Sequence, residues 1–590
     1  MSLNEQSRSS LNRIRDANPV IGVLSKPSER LVVEEFFELF KTPWEHYDSS
    51  RSYDVIIVSS DVVPDVNAKL LLVYGAQAKS IDARNGITVR SQDRGGWLDY
   101  QRTRVPIYGD LATFEPAIDH RPCVAGTSGT VGSRIASANG PTMIRLGYEL
   151  FEEVRLLLSA GQPVKQAAVP TLDLHISMLR NLILSEGIPL LEIPPAPAEH
   201  AFTVCLTHDI DFIGIRNHKF DHTMWGFLYR STVGAVRNFV SGRISVNRLL
   251  EMWQAAASLP FVYFGWVKDF WSPFEWYLRV EKDLAATYFL IPFKGCSGEH
   301  VPGKRAAWRA TAYDAGDVRS WIAILGREGC ELGVHGIDAW HSVEKGRAEL
   351  SRIAELTGGS QVGIRMHWLL HNANTASALE QSGYAYDSTA GYNETVGYLS
   401  GTTQVFRPLG AKTLLELPLH IQDGALFYPN RLDLSEPQAE ERCKDMIRNA
   451  GEFGGVLTVL WHDRSHGPER FWGDFYINLV DVLKSSDAWF ATASQAVRWF
   501  QKRREVRFER AGIANGVRVF ANKTVEKESL LSLCLRVHRP SVEQHPQRSN
   551  GAASTYTDVP WNAGTAANFN SLLERVSEES VGLSEVGTSR

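Results

Sequence analysis

Val204-Cys205-Leu206-Thr207-His208-Asp209-Ile210-Asp211-Phe212 is an apolar run that stops abruptly in a polar, acidic cluster. A buried strand whose C-terminal end opens into a site has this pattern. Extended backbone places Asp209 and Asp211 on the same side, about 6–7 Å apart. Two carboxylates at that separation repel, so they need a cation or a shared proton. One Asp as metal ligand and the other as base meets both demands. A solvated loop after a strand is the plain alternative, and histidines further along weigh against it.

A second strand pattern, Cys330–Val334, ends at His335. The stretch His335-Gly336-Ile337-Asp338-Ala339-Trp340-His341 sets two histidines six residues apart across a turn that Gly336 permits. One carboxylate and two imidazoles match a catalytic zinc site with positions open to water. A third apolar run, Val456–Trp461, lands on His462-Asp463-Arg464. Between these, Leu284–Ile291, Gly363–Arg365, Tyr384–Ser388 and Leu414–His420 read as further strands. Tyr313–Glu328, Val343–Leu356, Asn374–Ser382, Trp472–Leu483 and Ser494–Phe500 read as helices. Their alternation predicts an α/β domain over residues 200–500 with a mostly parallel sheet, and places the acidic and histidine motifs at one end of it. His367 and His371 are two further candidate ligands, and Asp423, Asp463 and Arg464 are candidate supporting groups.

The order of these motifs resembles the polysaccharide deacetylases of carbohydrate esterase family four. Thr207-His208-Asp209-Ile210-Asp211 is similar to the family's acidic pair after its first strand. His335 with His341 is similar to its paired histidines, Arg365 to the arginine of its third motif, and Leu460-Trp461-His462 to its closing Leu-x-His. Ala286 to Leu290 and Gly329 to His335 look like its second and third strands. The resemblance covers about residues 200–500. It implies a distorted (β/α) barrel and metal-dependent removal of N-acetyl groups from a sugar, oligosaccharide or polysaccharide. Asp211, His335 and His341 would hold a divalent ion, zinc being the expected one. Asp209 would act as base, Arg365 would orient it, and His462 would protonate the departing amine. The opposite use of the two aspartates stays open.

Three departures from the family pattern bear on the site. The usual adjacent aspartates are separated by Ile210, Ala339 stands where the second histidine belongs, and Met366-His367-Trp368 replaces the proline and tyrosine of the third motif. Ala339 favours a second reading, a catalytically silent carbohydrate-binding or scaffold protein on the same fold. Hydrolysis of a non-sugar amide is a third.

A length of 590 residues predicts about two to four domains, and 44% apolar against 22% charged residues predicts a substantial core. A net charge of −5 without a long basic block argues against nucleic acid as principal partner. Six scattered cysteines without a CxxC pair read as reduced thiols of a cytoplasmic protein. Met1 to Asn18 lacks the apolar core of a signal peptide, and no run of 18 apolar residues predicts a membrane span.

Residues 1–17 are expected to form a disordered tail, and 18–195 a smaller α/β domain of unknown role. Within it Val20–Leu24 and Tyr53–Ser59 read as strands, Leu31–Phe40 and Leu174–Leu184 as helices. Another helix is expected from Gly140, with Gly147, Phe151, Val154 and Leu158 on one face. Gly126-Thr127-Ser128-Gly129-Thr130 lacks the following lysine of a phosphate loop. Ile193-Pro194-Pro195-Ala196-Pro197 reads as a stiff linker. The aromatic-rich stretch from Trp225 to Trp276 reads as a helical insertion beside the site, its rings serving core packing or sugar stacking. Residues 501–540 are expected as a small β appendage, with a hairpin at Asn515-Gly516 and a third strand at Leu531–Val537. Residues 541–590, polar and rich in Ser, Gln, Gly and Thr, are expected to be disordered.

Overall fold

Strands that are apolar on both faces need cover on both faces, which alternation with helices supplies. The structure, a computed structural model, describes residues 20–137, 140–301, 306–511, 516–520, 530–540, 555–561 and 567–568. Phe202–Ile210 is buried at every position and sits within a curled parallel sheet. The order across that sheet is Ile364–Met366, Glu331–Gly336, Ala286–Leu290, Phe202–Ile210, Val456–Leu460 and Ile421–Gln422. Ala488–Phe490 pairs with the first residues of Phe202–Ile210. Register aligns the strand ends: Asp209 lies opposite Phe289, Leu290 opposite Val334, His335 opposite Arg365, and Thr207 opposite Leu460. The residues that follow these strands therefore emerge together at one edge.

The curl continues beyond Ile364–Met366 through single parallel bridges from Ile364 to Asp387 and from Asp387 to Glu416. Tyr384–Ser388 and Leu414–His420 were expected as full strands and form isolated bridges, these two and an antiparallel one from Glu416 to Phe406. Backbone bonds still tie them in, the amides of Asp387, Ser388 and Leu417 donating to the carbonyls of Leu415, Ile364 and Asp387, and side chains add to these. Arg365 Nε donates to the Ser388 carbonyl at 3.0 Å, and Glu416 Oε1 accepts from the Ala390 amide at 2.7 Å.

The first third of the chain holds a nine-stranded mixed sheet. Ile21–Leu24, Trp44–His46, Val55–Val58, Leu70–Tyr74 and Thr142–Leu146 are joined by parallel pairings. Beyond Thr142–Leu146 the pairing turns antiparallel through Gly129–Ile135, Thr103–Phe114, Val89–Tyr100 and His120–Gly126. The helix expected from Gly140 is corrected here: Thr142–Leu146 is a strand, and the helix is Leu150–Leu157. Met143, Ile144 and Leu146 are buried between two strand partners. Gly147 lets the chain pass close against Thr103–Phe114, because a Cβ there would sit 2.1 Å from the Ala112 carbonyl oxygen. The 126–130 stretch is the tight turn between His120–Gly126 and Gly129–Ile135.

Ile193 to Pro197 is buried at every residue, so it is a packed seam where a stiff spacer was expected. Arg503 donates to the Ile193 carbonyl at 2.7 and 3.0 Å, and the Gly455 amide donates to the Pro195 carbonyl at 2.7 Å. One apolar cluster runs from Tyr53 and Leu71 through Leu191 and Phe289 to Trp499, Leu535 and Trp561.

Arg507–Ala511 and Gly516–Phe520 form the expected hairpin, whose turn at Asn515 lies outside the described residues. The third strand, Leu533–Arg539, leaves that hairpin. It pairs antiparallel with Leu190–Glu192 and with Thr555–Trp561. The expectation of disorder over 541–590 is thus corrected at Thr555–Trp561, where Trp561 is buried and Arg536 and Asp558 form an ion pair at 2.7 Å. Glu192 anchors this corner. Burial alone would raise its pKa, but Arg180 at 2.7 Å and His538 at 2.9 Å hold it far below the carboxylate range. Residues 1–17 lie outside the described residues. No helix among those described is long and apolar enough to cross a membrane, and all six cysteines are free.

Candidate functional site

Asp209 is the penultimate residue of Phe202–Ile210, and strand alternation turns its neighbour His208 the other way. His208 is buried against the Trp461 carbonyl at 2.9 Å and Glu281 at 2.8 Å, a packing role away from the site. Asp209 and Asp211 face the opposite side with His335 between them. His335 Nε2 lies 3.8 Å from Asp209 Oδ2 and 3.4 Å from Asp211 Oδ1. Its Nδ1 is 3.0 Å from the Arg365 carbonyl, so Nδ1 carries a proton and fixes the ring with Nε2 turned toward the two aspartates. Arg365, fully buried, donates from Nη1 to Asp209 Oδ1 at 3.0 Å and to Thr207 Oγ1 at 2.8 Å, and from Nη2 to Ser388 Oγ at 2.9 Å. Its guanidinium stacks on Phe289, with 4.6 Å between Cζ and the ring centre. Asp209 Oδ1 is thereby fixed and Oδ2 is left toward the histidines.

The third group at this point is His367, and the expectation of His341 is corrected. His367 Nε2 lies 3.2 Å from Asp211 Oδ1, and its ring centre is 4.8 Å from that of His335. Ligand atoms of Asp211, His335 and His367 all fall within 4.8 Å of one another. His341 points elsewhere: its Nε2 is 3.2 Å from Asp338 Oδ1, and its ring meets His300 edge-on. The cause is the turn after His335. Glu349 accepts from the Ile337 and Asp338 amides at 2.9 and 2.7 Å, and Ser342 caps the helix Val343–Thr357. Those bonds close the turn before His341 can come back to the strand end.

His367 enters because the chain bends sharply after Ile364–Met366, with Trp368 and Leu369 at φ 64° and 52°, in the left-handed region. Arg309 ties the two turns together, donating to the carbonyls of Ile337 and His367 at 2.8 and 2.9 Å. Sequence reasoning did not single out Arg309, whose motif-free surroundings carry no signal. His371 stays exposed, its Nδ1 3.0 Å from the Leu369 carbonyl.

The electrostatics suit a divalent ion. Asp211 Oδ1 is closed off from solvent and makes no hydrogen bond. Burial would raise the Asp211 pKa, but His367, His335 and His462 hold it well below the carboxylate range. Burial keeps the His367 pKa well below the usual imidazole range, Asp211 only partly opposing. A carboxylate and two imidazoles converging on one point are the donor set of a catalytic zinc site.

His462 follows Val456–Leu460 and is gripped by Asp423. Its Nδ1 is 2.5 Å from Asp423 Oδ1, and its amide donates to Oδ2 at 2.9 Å. Ser465 Oγ donates to the same carboxylate. Burial opposes the imidazolium, but Asp423, then Asp211 and Asp209, raise the His462 pKa to about 10. The linked stability is fully present below about pH 6.5, the unfolded value, and is lost as pH rises toward 10. Asp463 is buried, with its pKa raised by burial and by Asp211. Arg464 stacks over two rings, its Cζ 3.8 Å from the centre of Phe212 and 4.8 Å from that of Trp271.

No protein-family model matches the sequence, and no curated protein matches it. Solved structures similar to this chain include the carbohydrate deacetylase Agd3, 10% identical over 94% of this chain and 98% of that one, with a TM-score of 0.36. Puue allantoinase is 15% identical over 52% of this chain and 92% of its own, with a TM-score of 0.32. A polysaccharide deacetylase from Bacillus cereus is 15% identical over 38% and 86%, with a TM-score of 0.22. Likeness at this level carries none of the functional argument, which rests on the site.

Proposed function

We propose that this chain is a metal-dependent hydrolase that removes N-acetyl groups from a sugar, oligosaccharide or polysaccharide, using a distorted (β/α) barrel over about residues 200–500. The observation that carries the proposal is the convergence of Asp211, His335 and His367 beside a base-acid pair, Asp209 and His462. Asp211, His335 and His367 would hold the ion, which supplies Lewis-acid polarisation of the acetamide carbonyl and a more acidic water. Asp209, its Oδ1 committed to Arg365, takes the water's proton on Oδ2. Arg365 fixes the orientation of that carboxylate and touches no substrate atom. His462, kept protonated by Asp423, gives its Nε2 proton to the departing amine.

Protein purified without added metal is expected to carry a divalent ion and to release acetate from N-acetylglucosamine oligomers. Chelation should stop the release, and the same ion should restore it. Metal-loaded protein that frees acetate from no N-acetylated sugar would defeat the substrate assignment, and protein that binds no divalent ion would defeat the mechanism.

Asp423→Asn gives a pH test of the acid. Loss of the anion in contact with the ring should lower the His462 pKa by about 1–3 units. The alkaline limb of the pH–rate profile should move down by a similar amount, while metal content is retained. An unmoved limb would take His462 out of the proton-donating role.

A further inference from the structure

The aromatic-rich insertion that follows Asp211 does something the hydrolytic reading does not require. His222–Tyr229, the π-helical turn Arg230–Gly234 and Ala235–Val240 run on as one helical arm. After a turn at Gly242, where φ is 71°, Val246–Tyr263 forms the second arm. Small apolar clusters join the arms to each other and to the body through Phe227, Met252, Leu259 and Trp271.

The outer surface of this helical hairpin is apolar as well. On the first arm Trp225, Tyr229, Val233, Val236 and Val240 recur at three- and four-residue steps and are exposed, Val240 at 80%. On the second, Val246, Leu250, Trp253 and Phe261 are exposed with the same periodicity. Phe264 and Trp266, at 71% and 74% exposure, extend the patch past the helix end. Of the 24 large apolar side chains exposed among the described residues, 14 fall between Phe220 and Val267. Between the arms runs an open groove of about 1020 Å³, floored by Val233, Val236, Val240, Trp253, Ala256 and Ala257. Scattered exposed apolar residues need no explanation, but a contiguous face of this size does.

The charge of the same segment indicates what covers it. Residues 222–266 carry four Arg against one Glu, a net +3, in a chain whose total is −5. Arg237 on the groove wall and Arg243 at the hairpin turn are exposed. Helices lying in a membrane interface have this composition, with Trp, Phe and aliphatic side chains on one face and Arg or Lys at its margin. Tryptophan and tyrosine suit the headgroup level, and arginine stems lie along apolar surface while their heads stay in water. Neither arm is long and apolar enough to span a bilayer, so the hairpin would lie flat. We propose that the hairpin 222–263, with Phe264 and Trp266, docks this protein on an anionic lipid surface.

Flotation with vesicles tests this on the full chain. The protein should rise with vesicles of phosphatidylcholine and phosphatidylglycerol, rise far less with phosphatidylcholine alone, and be released from the first by salt. The variant Val236→Asp with Trp253→Asp should stay in the dense fraction while keeping its circular dichroism and unfolding temperature. A second variant, Phe264→Ser with Trp266→Ser, changes residues beyond the helix end and should also weaken flotation. Wild-type protein that stays in the dense fraction with both vesicle types would overturn the proposal. So would a dimer, seen by light scattering, that either variant dissolves, because a second copy would then cover the face.

Discussion

His367→Ala is expected to remove bound metal and turnover together, whereas His341→Ala should leave both close to wild type. The contrast follows from where the two imidazoles go. His367 Nε2 is 3.2 Å from Asp211 Oδ1 and shares its space with His335, while His341 is engaged by Asp338 outside that space. Loss of an outer hydrogen-bonding partner costs about 10–100-fold in metal affinity, and loss of one of three direct donors should cost more. Elemental analysis of each purified variant reads the result without an activity assay. Burial of His367 makes some structural cost unavoidable, so His367→Gln, of similar volume, is the companion variant. It too should arrive metal-poor, with the unfolding transition of the apo protein little changed. Full occupancy in both His367 variants, or an empty site in His341→Ala, would return the third ligand to His341.

That contrast marks where the sequence stops being informative. Asp209, Asp211, His335, Arg365 and His462 can be picked out because each ends or follows an apolar run. Parallel register then carries strand ends to one edge whatever the loops do. The choice between His341 and His367 depends on two turns. One is closed by Glu349, which lies on the following helix, and the other by left-handed backbone at Trp368 and Leu369 that no residue type there announces. Neither is a matter of spacing along the chain.

The same limit explains the β segments that sequence reasoning passed over or read as something else. Val89–Tyr100 and Thr103–Phe114 carry Arg, Gln and Asp at their exposed positions, so their strand character comes from pairing with each other. Thr142–Leu146 followed by Leu150–Leu157 spans a strand and a helix within one apolar stretch, which a single period cannot describe. Thr555–Trp561 is a strand because Leu533–Arg539 offers it an edge, a partner that composition does not reveal.

Asp209→Asn should lower turnover by about 10²–10⁴-fold, the range for loss of a general base, while metal content stays near wild type. The amide keeps the shape of the side chain and can still place its oxygen toward Arg365 Nη1, now 3.0 Å from Oδ1, but it cannot accept the water's proton. Asp211→Asn should behave differently. Oδ1 of Asp211 stands between the two imidazole nitrogens without a hydrogen bond, and replacing its carboxylate with an amide removes the only anion among the three donors. That variant should lose metal first and activity as a consequence, and excess ion should restore part of the turnover. Excess ion should do nothing for Asp209→Asn. The two substitutions therefore separate holding the ion from moving the proton. If Asp209→Asn were the variant rescued by metal, the two aspartates would have exchanged roles. Arg365 would then be orienting a ligand, and the base would be the partly exposed carboxylate of Asp211.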